Sequence, residues 1–417
     1  MHILLFIIYA VVLSWILTRR PYYRDIHSRI LIAFFLLRVA AGCLHNWIAF
    51  RYYPGHGDIW RYFNDSFVQR HLLFTDLHAF WNSNWEGIAA FGYLQHNIVE
   101  WTHVLFNFLS FDNFYINTLF FSFLTLGGHI ALFRVFYERF GHNALCGACM
   151  LLLPSILFWT SCMHTEGFIY AMLGWLLYIM HRSFGTNRIA PRIPLKPLRI
   201  ATILLLTALI VLFRPAIAFG LLPALILWTA AERHISRRTI LVTIGALILL
   251  IAGLSLFSPG ALTLLPRTLS ARQQEYQDLT GNSRIALPLL QPGWISLWKV
   301  LPAALFNGLF QPIPGAGGQK IYFFFSLELL FIWIVAIFAL LTTLNRRFPH
   351  SWTFSAACLF LALSGMLLIG YIIPFVGAIV RYRSIYLPFL LAPCLACVQP
   401  FTRYPKLNNW LSTRIFK

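Results

Sequence analysis

The sequence predicts an all-α fold: a polytopic membrane helical bundle of about eleven transmembrane helices, with two long extracytoplasmic loops carrying interfacial helices. Three observations predict it. Of 417 residues, 59% are hydrophobic and only 11% charged, more apolar surface than a water-soluble domain can cover. The apolar residues come in long runs, and mean hydropathy is +0.71. Lys and Arg concentrate in every second connection between those runs.

In chain order the runs cover Ile3–Leu17, Ile30–Phe50, Phe114–Phe133, Ala144–Trp159, Phe168–Met180, Ile200–Phe213, Ala216–Ala231, Thr239–Phe257, Tyr322–Leu344, Trp352–Ile373 and Ile385–Val398. Each reads as a helix, because a helix satisfies its own backbone groups where lipid cannot. The first run is followed by Arg19 and Arg20 and has no small-residue cleavage site, so it reads as a retained span with its N-terminus outside. The connections at 19–29, 134–143, 181–199, 232–238 and 345–350, with the tail 401–417, hold 20 of the 32 Lys and Arg residues. This face reads as cytoplasmic. The formal charge of +19 is then mostly an orientation signal, and nucleic acid is not needed as a partner.

The opposite face carries the loops at 51–113 and 258–321 and nine of the thirteen acids. Residues 94–110 are interrupted by His96, Glu100 and His103, so they read as an amphipathic helix at the outer interface rather than a span. The whole chain, 1–417, reads as one integral membrane domain of a multi-pass plasma membrane protein, a bacterial inner membrane, with its C-terminus cytoplasmic. The runs from Ala144 to Ala231 are short against the ~20 residues of a full crossing. Their outer tips, 161–167 and Arg214-Pro215, would then sit below the surface, lining a cavity.

The stretch R-Y-Y-P-G-H-G-D-I-W-R-Y-F, 51–63, places Asp58 among glycines, aromatics and arginines. Such a carboxylate is either a hydrated helix cap or a general base. Glu166 opens the fifth run, where a helix dipole favours an acid, and His164 stands two residues before it as a metal ligand, proton carrier or packing residue. Arg214, Arg381 and Arg383 are suited to holding phosphate or to interfacial anchoring, and Lys320 follows the glycine-rich P-I-P-G-A-G-G-Q. Arg38 and Glu328 are the charges within spans. Of seven cysteines, Cys146/Cys149 and Cys394/Cys397 form C-x-x-C pairs inside spans, without His or Asp beside them, and read as packing residues.

With G-D-I-W-R-Y-F in the first long loop and L-P-S-I-L-F-W-T-S-C-M-H-T-E-G at the later tip, the chain resembles the GT-C superfamily of membrane glycosyltransferases. The second motif is similar to a P-S-x-x-F-W-x-S-x-x-x-K-[DE] pattern of bacterial members. The resemblance implies a polyprenyl-phosphate or -diphosphate sugar donor and a glycan, lipid or protein acceptor. It implies Asp58 as base and Glu166 as the second acid, the two together holding any divalent cation. The chain departs from the pattern at Ile59, where some members carry a second acid, and at Thr165, where a basic residue is expected. A lipid-linked oligosaccharide polymerase and a lipid or solute transporter are the rival readings.

Overall fold

The computed structural model describes residues 1–53, 57–82, 94–184, 197–232, 259–315, 320–345, 352–398, 410 and 413–415. The predicted run Thr239–Phe257, the Pro54–His56 part of the glycine turn and residues 316–319 before Lys320 lie outside them. Among the described residues the regular elements are all helices, with one isolated antiparallel bridge between Arg284 and Phe375.

The chain packs as two compact units, Met1–Ser183 with Pro194–Pro215 and Gln399–Lys417, and Phe184–Ile193 with Ala216–Val398. The first contains α1 (His2–Arg19), α2 (Ser28–Tyr52), α3 (Asp58–Thr75), α4 (Leu94–Ser110), α5 (Phe114–Arg139), α6 (Ala144–Leu152), α7 (Pro154–Thr160), α8 (Thr165–Phe184) and α9 (Pro197–Phe213). The second contains α10 (Ala218–Glu232), α11 (Pro259–Gln277), α12 (Trp294–Phe310), α13 (Lys320–Asn345), α14 (Trp352–Ile372), α15 (Val376–Ser384) and α16 (Leu387–Val398).

Five of these helices, α1, α2, α5, α13 and α14, are long and apolar enough to cross a membrane. The pair α15–α16, bent by 59°, makes a sixth if it is one span. Their outward residues are those lipid tolerates and water does not: Ile3, Leu4, Phe324 and Leu340 are all exposed. The protein is a multi-pass membrane protein.

Several predicted runs change shape. Ala144–Trp159 is not one helix, because Pro154 has no N–H to give the preceding turn; α6 ends at Leu152 and α7 starts on the proline. Phe168–Met180 is longer than its apolar core, since Thr165 and Glu166 start α8 and His181 and Arg182 lie in its last turn. Ile385–Val398 joins α15 through the bend, which puts Arg381 and Arg383 on a short helix of their own. The stretch read as the loop 258–321 contains the apolar α12, whose run is broken in sequence by Lys299 and Pro302.

Backbones meet at glycines in both units. A methyl on Gly174 of α8 would overlap the Gly128 carbonyl of α5, and one on Gly370 of α14 would overlap the Ala304 carbonyl of α12. Small residues allow this approach, and lipid supplies no hydrophobic drive to replace it.

Candidate functional site

The first unit has a polar interior, built on α2 and α5 around the tip between α7 and α8. Arg38, fully buried on α2, donates to the Thr160 carbonyl at 3.0 Å and to the hydroxyls of Thr125 at 2.9 Å and Thr160 at 3.4 Å. His129 of α5 bridges Thr160 Oγ1 at 2.9 Å and the Thr125 carbonyl at 3.0 Å. The within-span arginine thus anchors the end of α7. Ser122 donates to the Ser161 carbonyl at 3.1 Å, and a Cβ on Gly42 of α2 would lie 2.7 Å from that same oxygen. The tip is held on both sides.

Beyond Ser161 the chain turns tightly, with the His164 N–H donating to the Cys162 carbonyl at 2.7 Å. Cys162 and His164 come together on one side of that turn and meet His45 of α2. One ligand atom from each of the three lies within 4.8 Å of the others, and all three residues are buried. Neither Asp58 nor Glu166 belongs to this group. Imidazole and thiolate could hold a transition metal there.

Glu166, in the first turn of α8, has no exposed surface. Arg214, directly after α9, donates through Nη2 to Glu166 Oε1 at 2.7 Å, and Thr165 Oγ1 donates to Oε2 at 3.2 Å. Two residues singled out separately in the sequence are each other's partner. Burial of Glu166 limits the screening of the pair by water, although Arg214 keeps 15% of its side chain exposed.

Asp58 is the first residue of α3 rather than its cap, and Gly57, at φ +91°, makes the entry turn that a side chain would strain. Asp58 is half-buried. One helical turn later the Tyr62 ring packs against His96 and His164, with centroids 5.4 and 6.3 Å away, and its hydroxyl lies 2.9 Å from His96 Nδ1. Helix α4 is inside-out: Asn97, Glu100, His103, Asn107 and Ser110 are buried, while Leu105, Phe108 and Leu109 face outward. Its polar stripe forms a chain in which Asn107 donates to Ser66 Oγ at 3.1 Å and Asn117 Nδ2 donates to Asn107 Oδ1 at 2.6 Å. His103 Nδ1 lies 3.1 Å from the same Asn117 nitrogen. Burial, with repulsion from Asp65 added and Arg61 opposing, pushes Glu100 up to about 7. Burial, with His164 adding to it, pushes His103 down to about 3, so the ring is neutral.

The remaining candidate cations belong to the second unit. Arg383 is buried and donates through Nη1 to the Gly308 carbonyl at 3.3 Å and to the Gln311 carbonyl, holding the C-terminal end of α12. Arg381, half-buried, donates to the Tyr382 hydroxyl at 2.8 Å, and Tyr276 donates to the same oxygen at 3.2 Å. Lys320 is exposed at the start of α13.

Asp58, His164, Glu166 and Arg214 all belong to the first unit, where Glu166 and Arg214 pair and the helix opened by Asp58 reaches His164 through Tyr62. The sequence alone gives His45, Cys162, Tyr62 and His96 no part in a site, since nothing local links residues so far apart. The one available signal was the C-x-H spacing of Cys162 and His164 beside an irregular tip. Comparison with protein-family models, curated proteins and solved structures finds no match.

Proposed function

We propose that the protein is a membrane glycosyltransferase of the GT-C type, moving a sugar from a polyprenyl-phosphate or -diphosphate donor to a hydroxyl acceptor. The observation that carries this reading is the ion pair between the fully buried Glu166, in the first turn of α8, and the largely buried Arg214 after α9, in the unit where Asp58 opens a helix that packs on His164. A buried ion pair contributes little net stability, since desolvating both charges offsets most of their attraction. Keeping one two residues from His164, in the unit that also holds Asp58, suits a site that handles charge. In this reading Asp58 takes the acceptor proton as the acceptor oxygen bonds to the anomeric carbon. The bond from that carbon to the phosphate oxygen breaks, and the lipid phosphate leaves with the electron pair. Glu166, fixed by Arg214, shapes the acceptor pocket, and the face is the extracytoplasmic one.

Asp58→Asn tests the reading. It keeps shape and hydrogen bonding but cannot accept a proton, so turnover falls by ~100- to 10,000-fold while donor affinity changes little. Asp65→Asn and Asp76→Asn stay near the parental rate. Transfer from a lipid-linked sugar at the parental rate by well-folded Asp58→Asn rules the assignment out. Gln substitution of Arg214, Arg381, Arg383 and Lys320 in turn, read by binding of a lipid-phosphate sugar, identifies the cation that meets the donor phosphate. Orientation is read by labelling a cysteine placed at Asn282, which reacts from outside if the N-terminus is external and the tail cytoplasmic.

A further inference from the structure

We propose that His45, Cys162 and His164 form a zinc-binding site. The claim goes beyond sugar transfer and stands or falls on metal content. Two imidazoles and one thiolate are the ligand types that zinc takes and that magnesium, calcium and manganese do not favour. Three protein ligands leave a fourth position for water or a substrate oxygen. Their atoms lie within 4.8 Å of one another. Tetrahedral zinc needs them about 3.5 Å apart, so binding would draw the three ligand atoms closer together.

The supporting shell is closely packed. The His45 ring sits 4.5 Å from Phe158 and 5.0 Å from Trp159, and stands edge-on to His164 at 5.3 Å and 87°. Cys162 and His164 are brought round by the turn between them, and that turn is fixed to α2 by the close approach at Gly42 and by Arg38 on Thr160. Ligands held this way lose little freedom on binding. The Cys162 thiol makes long contacts to the Phe158 and Trp159 carbonyls, both 3.6 Å. Zinc replaces the thiol proton, which is released to solvent: one Zn–S bond forms and one S–H bond breaks. With two neutral imidazoles and one thiolate the bound ion keeps one net positive charge, which favours an oxygen anion at its fourth position.

The full-length protein in detergent, stripped with a chelator, is titrated with Co²⁺ as a spectroscopic stand-in and then with Zn²⁺. The expected result is one Co²⁺ per chain with a thiolate-to-metal absorption band, displaced by one equivalent of Zn²⁺. Cys162→Ser abolishes the band, and His45→Gln and His164→Gln weaken binding by more than about 100-fold, beyond what loss of an outer-shell contact causes. Cys146→Ser and Cys397→Ser retain the band. Each variant is checked for a monodisperse elution profile, and the wild-type titration decides the matter if a variant does not fold. No band in the wild type means that the three residues only pack as a ring cluster, and a band that survives Cys162→Ser places the metal elsewhere. Either result overturns the proposal.

Discussion

Both units cross helices on glycines, α5 on α8 and α12 on α14, yet they treat buried charge differently. In the first, Arg214 meets the carboxylate of Glu166 from 48 residues away, and Arg38 reaches across to the end of α7. In the second, Arg383 binds the last carbonyls of α12, with the charge of Glu328 acting on it from α13. An arginine at a helix C-terminus satisfies oxygens that the helix leaves over, which is a structural task. A carboxylate–guanidinium pair at a tip satisfies nothing the backbone needed. Arginines hold helix ends in both units, Arg38 at the end of α7 and Arg383 at the end of α12, and the first unit adds the Glu166–Arg214 pair and the cluster of His45, Cys162 and His164.

The largest effect that sharpens this contrast is in the ion pair. Arg214→Gln leaves the buried Glu166 charge alone and lowers stability by about 3–5 kcal/mol, read from unfolding in detergent, whereas Glu166→Gln leaves the partly exposed Arg214 and costs less. The double variant recovers much of the loss, because neither charge then remains. A double variant as unstable as the sum of the singles contradicts the pairing.

Next is the pH response that Glu100 gives the first unit. Glu100 held at about 7, against its ordinary 4.5, binds its proton more readily in the folded state. Between those values the folded chain holds more protons than the unfolded one, so stability falls as pH rises and levels off above 7. The charged form costs on the order of 3 kcal/mol. Glu100→Gln removes this slope and is the more stable protein at pH 8; an unchanged slope would discard the assignment.

Arg383→Gln, by comparison, loses charge-assisted bonds to carbonyls worth about 1.5–3 kcal/mol. Smallest, and alike in both units, are Gly174→Ala and Gly370→Ala, which overpack a crossing by about 1–3 kcal/mol each. A large cost in one unit with none in the other would show that only one crossing is tight.

The long helices α1, α2, α5, α13 and α14 were legible because each is a local apolar run, Glu166 and Arg214 as charges that lipid makes expensive, and Asp58 as a carboxylate among glycines, aromatics and arginines in a loop. The break at Pro154 was equally local, but hydropathy averages across it. Helix α4 was read as amphipathic, and so it is, yet its polar stripe faces inward to Ser66 and Asn117, a direction that periodicity alone leaves open.

By itself, then, the sequence determined that this chain is helical and membrane-bound, because hydrophobicity and backbone satisfaction act run by run. Tertiary structure alone decided that Glu166 pairs with Arg214, that Arg383 caps a helix, and that His45 meets Cys162 and His164. Each of those contacts depends on how helices far apart in sequence cross, and the crossings are set by close packing at small residues such as Gly42, whose spacing carries no mark of the partner it will meet.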